Sequence, residues 1–151
     1  MRLLCLALLL FTLPAWSTSS HFQSGYGFSI KPPKTASFNE GVVAHFYLPA
    51  NKGFAANVNV MIQAFEGGLT AYDEITQQEF QQYGLTLIER QQTPTYLQYE
   101  YRGSMSGMAM HWYARAYVRG DRIYLVTATA LASDWSQQKA TLMAAVNSFS
   151  F

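Results

Sequence analysis

The sequence has a single cysteine among its 151 residues, Cys5, which lies in an apolar stretch near the amino terminus. The rest of the chain therefore cannot form a disulfide, and the fold must be stabilised by burial. Charged residues make up only 13% of the chain, and the formal net charge is +1. A strong nucleic-acid binder needs a clear excess of Lys and Arg, so this balance argues against that class of protein.

No long apolar run that could span a membrane is present, since such a helix needs about 20 apolar residues. The apolar run over residues 3–13 is well short of that and follows Arg2. Small residues, Ala15 and Ser17, come shortly after it. A basic start, a short apolar region and a small-residue exit are typical of a secretory signal peptide.

We therefore predict a signal peptide over residues 1–17 and one domain over residues 18–151, located in the periplasm or secreted. Cleavage would remove Arg2 and Cys5 and leave nine basic against nine acidic residues. The mature chain would have no membrane span.

Alternating apolar and polar residues predict seven strands, and two amphipathic segments predict helices. Because hairpin-type connections dominate, we expect an α+β layered sandwich with a mainly antiparallel sheet of six or seven strands and two principal helices. The predicted strands are 26–30, 42–48, 57–65, 85–92, 96–102, 108–119 and 122–131, and the predicted helices run from a Thr70 cap to Tyr83 and from a Ser133 cap to Phe149.

The last two strands form a long hairpin, whose two-residue turn at Gly120–Asp121 fixes which residues share a face. One face is apolar and rich in alanine, so we expect a helix to lie close against it. The apolar face consists of Met110, Trp112, Ala114, Ala116, Val118, Ile123 and Leu125. The opposite face, the Tyr/Arg face, consists of His111, Tyr113, Arg115, Tyr117, Arg119, Arg122 and Tyr124.

Neighbouring strands are expected to extend both faces of this hairpin. Leu97, Tyr99 and Tyr101 should continue the apolar face. Gln98, Glu100 and Arg102 should continue the Tyr/Arg face. Five polar residues of the earlier strands would join them if those strands lie in the sheet with the matching orientation: Asn57, Asn59, Gln63, His45 and Tyr47.

Tyrosine and arginine are enriched where proteins bind partners, so the Tyr/Arg face predicts a flat surface that recognises another protein or an envelope component. The alternative is structural. Tyrosine also favours strands for packing reasons, and the second side of an antiparallel sheet is often only solvated or covered by a loop.

Several stretches occur together in the order of a known family. Asn57-Val-Asn-Val60 precedes a helix that stops at Gly84. The strand from Arg122 to Ala130 leads to Ser133-Asp-Trp135 and then to a helix finishing in Val146-Asn-Ser-Phe149. This order is similar to the PsbP-like family, whose fold is shared by the extrinsic P subunit of photosystem II, the Ran-binding Mog proteins and bacterial envelope relatives. The resemblance covers most of the mature chain. It implies an α/β/α sandwich and non-enzymatic work as an accessory, adaptor or chaperone-like binder.

Two other functions stay open. A small-molecule or metal carrier would use a pocket between helix and sheet. A serine hydrolase would use Ser136 and Lys139, which match the S-x-x-K of penicillin-recognising enzymes, but the chain lacks the K-T-G and S-D-N that accompany it.

The remaining titratable residues predict no metal or cofactor. His21, His45 and His111 lack the spacing of metal ligands, and Glu100 is expected to form a hydrogen-bonded pair with His111 across the sheet. Glu79 falls on the inner stripe of the first helix, with Tyr72, Ile75 and Tyr83 among others, where a carboxylate needs a partner.

Cleavage after Ser17 is the first testable prediction. Expression of the full chain in a bacterial host with intact export should give a mature protein that starts at Thr18, as measured by intact mass and amino-terminal sequencing. An unprocessed chain that stays with the membrane fraction would contradict it.

Overall fold

The computed structural model describes residues 22–23, 27–33, 37–39 and 44–151. The predicted signal peptide and Tyr26 lie outside these residues. Nine strands and two helices occur within them: β1 (Phe22–Gln23), β2 (Ser29–Ile30), β3 (Ser37–Asn39), β4 (Ala44–Tyr47), β5 (Asn57–Ala64), α1 (Leu69–Gln82), β6 (Thr86–Gln92), β7 (Leu97–Met105), β8 (Met108–Arg119), β9 (Arg122–Leu131) and α2 (Trp135–Asn147).

Seven of the strands form one antiparallel sheet in the order β3-β4-β5-β9-β8-β7-β6, and β1 pairs with β2 beside it. This confirms the expected α+β sandwich. The ends of β8 and β9 are those predicted, and most of the other predicted elements start or stop one to three residues away. Neither helix of the described residues is long and apolar enough to cross a membrane.

The β8–β9 turn has the predicted geometry. Gly120 has a φ of +63°, which suits the first central position of a two-residue hairpin turn, and Arg119 pairs with Arg122. Every pair further along the ribbon therefore stands in the expected register, with Tyr117 opposite Tyr124.

Helix α1 covers the apolar face, as expected. Phe80 of α1 packs with Leu97, Tyr99, Ala116 and Ile123. The helix ends at Gln82, and Tyr83 is its cap. The φ of +64° at the following Gly84 allows the backbone N–H of Leu85 to donate to the Phe80 carbonyl at 2.8 Å.

The inner stripe of α1 differs from the predicted one. Ile75 and Tyr83 are 45% and 68% exposed, and Glu79 is also exposed. The buried carboxylate is Asp73 instead. The helix begins at Leu69 without a side-chain cap, so the predicted Thr70 cap is wrong. The predicted Ser133 cap of α2 is also wrong, because Asp134 is the residue that precedes this helix and its side chain makes no capping hydrogen bond.

Asp73 joins α1 to the sheet. Its carboxylate accepts hydrogen bonds from Arg90 Nε at 2.7 Å, from the Tyr99 hydroxyl at 2.8 Å and from Gln77 Nε2 at 2.8 Å. Burial works to raise the pKa of Asp73, but the bonds from Arg90, Tyr99 and Gln77 outweigh it and hold the pKa below its usual range. The anionic form is therefore the one that fixes the helix.

Helix α2 covers the other face of the sheet, which was expected to be free. Leu142 and Val146 are fully buried there with Val58 and Val126, and the three tyrosines of the Tyr/Arg face belong to the same cluster. The molecule is thus three layers thick, as the family resemblance implied.

The two helices are offset across the sheet. α1 lies over β6, β7 and β8, whereas α2 lies over β5, β8 and β9. Asn59 pairs with Thr127, and Thr127 lies on the α1 side of the sheet because it pairs with Ala114 of the apolar face. This register shows on which side of the sheet the polar residues of β4 and β5 lie. These five residues lie on the α1 side and not on the Tyr/Arg face: Asn57, Asn59, Gln63, His45 and Tyr47.

Asp73→Asn should lower the free energy of unfolding by about 2 kcal/mol, because Arg90 and Tyr99 lose a charged acceptor in a buried setting. Since the pKa of Asp73 is depressed by folding, its contribution is present above the usual carboxyl range and is lost as the pH falls through the depressed value. The variant should therefore lose part of the acid sensitivity, as measured by urea unfolding at several pH values.

Glu79→Gln serves as the matched control on the same helix and should change the free energy of unfolding by less than about 0.5 kcal/mol. Equal losses in the two variants would contradict the observed helix phase.

Candidate functional site

The Tyr/Arg face is not the open, flat surface that its sequence predicts. Tyr113, Tyr117 and Tyr124 are only 2%, 9% and 5% exposed, because α2 and the residues after it cover them. Burial raises the pKa of the Tyr113 and Tyr117 hydroxyls. The expectation of a solvent-facing tyrosine row is therefore wrong.

The charged members of the face remain accessible. Arg119 and Arg122 are exposed and Arg115 is half-buried, whereas the His111 side chain is only 12% exposed. His111 lies toward the β7–β8 turn, while the arginines continue to the β8–β9 turn. The predicted residues thus fall into two separate groups.

The first group, which we name the arginine–aromatic end, consists of Arg115, Arg119, Tyr96, Tyr117 and Phe151. The Arg119 guanidinium carbon lies 4.8 Å from the centre of the Phe151 ring, and that of Arg115 lies 4.3 Å from the centre of the Tyr96 ring. Both cations therefore lie over aromatic faces at cation–π distance.

The carboxy-terminal residues are held in place by ring packing and backbone pairing. The Phe149 ring centre lies 4.9 Å from that of Tyr117, and the Phe151 ring centre lies 4.9 Å from that of Tyr124. Ser150 pairs with Ser29, whose carbonyl accepts the Ser150 N–H at 2.9 Å. Phe151 is therefore positioned although it is 49% exposed.

Arg115 is positioned from its other side by Gln98. The Gln98 Oε1 accepts hydrogen bonds from Arg115 Nε at 3.0 Å and Nη2 at 2.9 Å, and lies 2.6 Å from the Tyr113 hydroxyl. Arg119 Nη1 donates to the Gly27 carbonyl at 3.2 Å. These acceptors are neutral, so neither guanidinium charge is compensated by them.

Within the described residues, Arg102, Arg115 and Arg119 have no carboxylate at salt-bridge distance. Arg122 lies 3.7 Å from Asp121, and both side chains are largely exposed. Such an exposed pair contributes little. The arginine–aromatic end therefore presents uncompensated positive charge.

A cavity of about 780 Å³ opens beside the arginine–aromatic end. It lies at the end of the sheet rather than between a helix and the sheet, and it is open to solvent. Its lining mixes apolar and hydroxyl- or amide-bearing side chains: Leu69, Gln92, Thr93, Pro94, Thr95, Tyr117, Val118, Ser150 and Phe151.

The second group centres on Glu100, which is 6% exposed. It accepts hydrogen bonds from Trp135 Nε1 at 3.2 Å and Lys139 Nζ at 3.1 Å, and its Oε1 lies 2.8 Å from His111 Nε2. The His111 ring stacks on Trp135 with 4.1 Å between ring centres. The predicted pairing of Glu100 with His111 is confirmed.

Burial and pairing act in opposite directions in this group. Burial would raise the pKa of Glu100, but hydrogen bonds from Lys139, His111 and Trp135 hold it below its usual range. For His111, burial lowers the pKa more than the bond to Glu100 raises it, so the neutral ring is favoured.

Lys139 is engaged by Glu100 through both carboxylate oxygens, at 3.1 and 3.2 Å, whereas Ser136 is exposed on α2. Within the part of the chain that the structure describes, the Lys139 ammonium donates to Glu100 and not to the Ser136 hydroxyl. Among the described residues, no three His, Cys, Asp or Glu side chains are grouped to hold a metal ion.

Sequence patterns missed part of the arginine–aromatic end. Tyr96 was assigned to a strand start and Phe149 to a helix stripe, and Phe151 received no role. The available signal was the Phe149-Ser-Phe151 alternation after α2, which predicts that both rings turn to the same side of an extended segment.

Comparisons with known proteins support the fold. No family model and no curated protein matches the chain. PA94, a protein of unknown function from Pseudomonas aeruginosa, matches with a TM-score of 0.60 and 13% identity over 80% of this chain and 88% of its own. Cyanobacterial PsbP (CyanoP) from Synechocystis sp. PCC 6803 matches with a TM-score of 0.59 and 15% identity over 93% of this chain and 98% of its own. The chain therefore has the PsbP-like fold, as the family resemblance predicted.

Opposite shifts of the His111 pKa should follow from changes at its two charged neighbours. Glu100→Gln removes the negative charge that raises this pKa, so it should fall further. Lys139→Met removes a positive charge that lowers it, so it should rise. NMR titration of the His111 ring measures both, and equal or reversed shifts would contradict the cluster geometry.

Proposed function

We propose that this chain, which has the PsbP-like fold, is an exported, non-enzymatic binding protein of the bacterial envelope. Its ligand is an acidic segment of another protein, and the arginine–aromatic end is the binding site. The observation that carries the proposal is the pair of stacked guanidinium groups, Arg115 and Arg119, without a carboxylate partner in the described residues.

Stacking prepares both arginines for carboxylates. A guanidinium group binds a carboxylate through two parallel N–H donors, and a side chain that is already ordered loses less entropy on binding. Arg119 uses Nη1 for the Gly27 carbonyl, and no described residue binds its other donors. An incoming carboxylate would therefore meet a fixed cation.

The neighbouring cavity supplies the apolar part of the contact. Phe151 is 49% exposed beside Leu69 and Val118, and aromatic anchors next to arginine are typical of protein-binding hot spots. An acidic segment with one or more apolar side chains fits this combination. The whole chain has a formal net charge of only +1, so two uncompensated arginines make this end a local positive feature.

A small-molecule carrier is the second candidate function. A cavity of about 780 Å³ lies within the range of sites that hold small ligands, and it favours an anionic molecule for the same reason of charge. The carrier would bind one low-molecular-weight anion, whereas the binding protein would recognise a peptide segment.

Arg119→Gln should weaken acidic-peptide binding about ten-fold or more, because a charge-assisted hydrogen bond is lost. The measurement is selection of displayed random peptides on the immobilised mature domain, followed by affinities of the enriched peptides at low and high salt. Enriched peptides should carry Asp or Glu next to apolar residues, and their affinity should fall with salt.

Arg102→Gln is the matched control. Arg102 is an exposed arginine of β7 that lies on the same side of the sheet as Arg119 but does not line the cavity. It should change affinity less than two-fold. Enrichment of neutral or basic peptides, or equal losses in the two variants, would contradict the proposed site. Binding of small anions without any peptide selection would favour the carrier.

A further inference from the structure

Two buried polar residues of β7, Gln98 and Glu100, lie next to each other on the Tyr/Arg side of the sheet. Their side chains alternate to the same side, and the residues are only 7% and 6% exposed. Each holds one basic side chain. Glu100 accepts a hydrogen bond from Lys139 Nζ at 3.1 Å, and Gln98 accepts two from Arg115, at 3.0 and 2.9 Å. The two positions differ in charge, since a carboxylate compensates Lys139 and an amide leaves Arg115 uncompensated.

The side-chain oxygen of Gln98 has the surroundings of a carboxylate oxygen. One atom, Oε1, accepts bonds from Nε and Nη2 of Arg115 and from the Tyr113 hydroxyl, which lies at 2.6 Å. A guanidinium group only donates, so the oxygen and not the nitrogen of the amide must face Arg115. A carboxylate in this place would receive the same three bonds, and those from the cation would be stronger than the bonds to an amide.

Replacing the amide by a carboxylate would remove no hydrogen bond that the structure shows. No hydrogen bond joins Gln98 Nε2 to any of the described residues. Glutamine and glutamate also have the same shape, so packing does not distinguish them. A glutamate at position 98 would be paired from the start with Arg115, which is the condition that a buried carboxylate requires. Local interactions therefore favour a carboxylate where the chain has an amide.

The amide preserves the positive charge of the arginine–aromatic end. The Arg115 guanidinium carbon lies 4.3 Å from the centre of the Tyr96 ring, and no carboxylate of the described residues lies at salt-bridge distance from it. Arg119, four residues further along β8, is in the same state. Groups that are less stable locally than an alternative are typical of functional sites. The choice of an amide at position 98 is explained if the charge of Arg115 is needed for a ligand.

We propose that Gln98 is a specificity-determining residue of the arginine–aromatic end, where its neutral amide fixes the Arg115 guanidinium for an acidic ligand without neutralising it. This inference rests on the proposed function, because it concerns the same site. Gln98 acts through Arg115 and is a positioning residue. A carboxylate in its place would keep the geometry of Arg115 and remove the reason for an acidic segment to bind.

The test is Gln98→Glu in the mature domain. Selection of displayed random peptides is run in parallel on the wild-type domain and the variant, and the acidic peptides enriched on the wild type are measured on both at low and high salt. The variant should bind them about ten-fold more weakly or worse, because one of the two cations is compensated. For the same reason its affinity should depend less on salt. Its thermal midpoint should equal or exceed that of the wild type.

Gln91→Glu is the matched control. Gln91 of β6 pairs with Gln98, lies on the same side of the sheet and is exposed. It adds the same charge two strands away from Arg115, about 10 Å by the spacing of strands. An exposed charge at that distance is largely screened, so the affinity should change less than about two-fold.

Three results would overturn the inference and leave the proposed function standing. They are wild-type affinity and salt dependence in Gln98→Glu, equal losses in Gln98→Glu and Gln91→Glu, and a thermal midpoint of Gln98→Glu below that of the wild type. A wild-type domain that enriches no acidic peptide would refute the proposed function and, with it, this inference.

Discussion

The register of the β8–β9 ribbon is the constraint on which the rest of the structure depends. A strand alternates its side chains, so a slip by one residue would exchange the alanine side with the tyrosine side along the whole ribbon. The glycine turn at Gly120 excludes that slip. Because the register is fixed, α1 packs against the alanine-rich face of the ribbon and α2 packs against the face that carries the tyrosine rings.

Each helix is also joined to the sheet by one buried carboxylate. Asp73 of α1 is bound by Arg90 and Tyr99, while Glu100 of the sheet is bound by Lys139 and Trp135 of α2. Breaking a buried ion pair leaves an uncompensated charge, so the observed position of each helix is the one that keeps its carboxylate paired. Apolar packing supplies most of the buried contact, and the carboxylates add a charge-assisted link between helix and sheet.

The sequence predicted the strands of the hairpin, because alternation and turn chemistry are local signals. The three-layer arrangement was implied by the family resemblance and not by those signals. The sequence did not predict which face α2 would cover, since tyrosine satisfies both a binding surface and an interior. The phase of α1 was missed for a similar reason. Asp73 is buried and Ile75 exposed there, because Arg90 and Tyr99 of the sheet bind the Asp73 carboxylate, and helix periodicity carries no information about these partners. Of the candidate site, Arg115 and Arg119 were identified, whereas Phe151 was not.

The diagonal offset of the two helices has a consequence for assembly. On its own side of the sheet, each helix covers some strands and leaves the others uncovered. The two uncovered regions lie on opposite faces of the sheet, with the hydrogen-bonded strands between them. Molecules seated on the two regions would be kept apart by the thickness of the sheet. The offset therefore means that a change confined to one helix would expose a different set of strands from a change confined to the other.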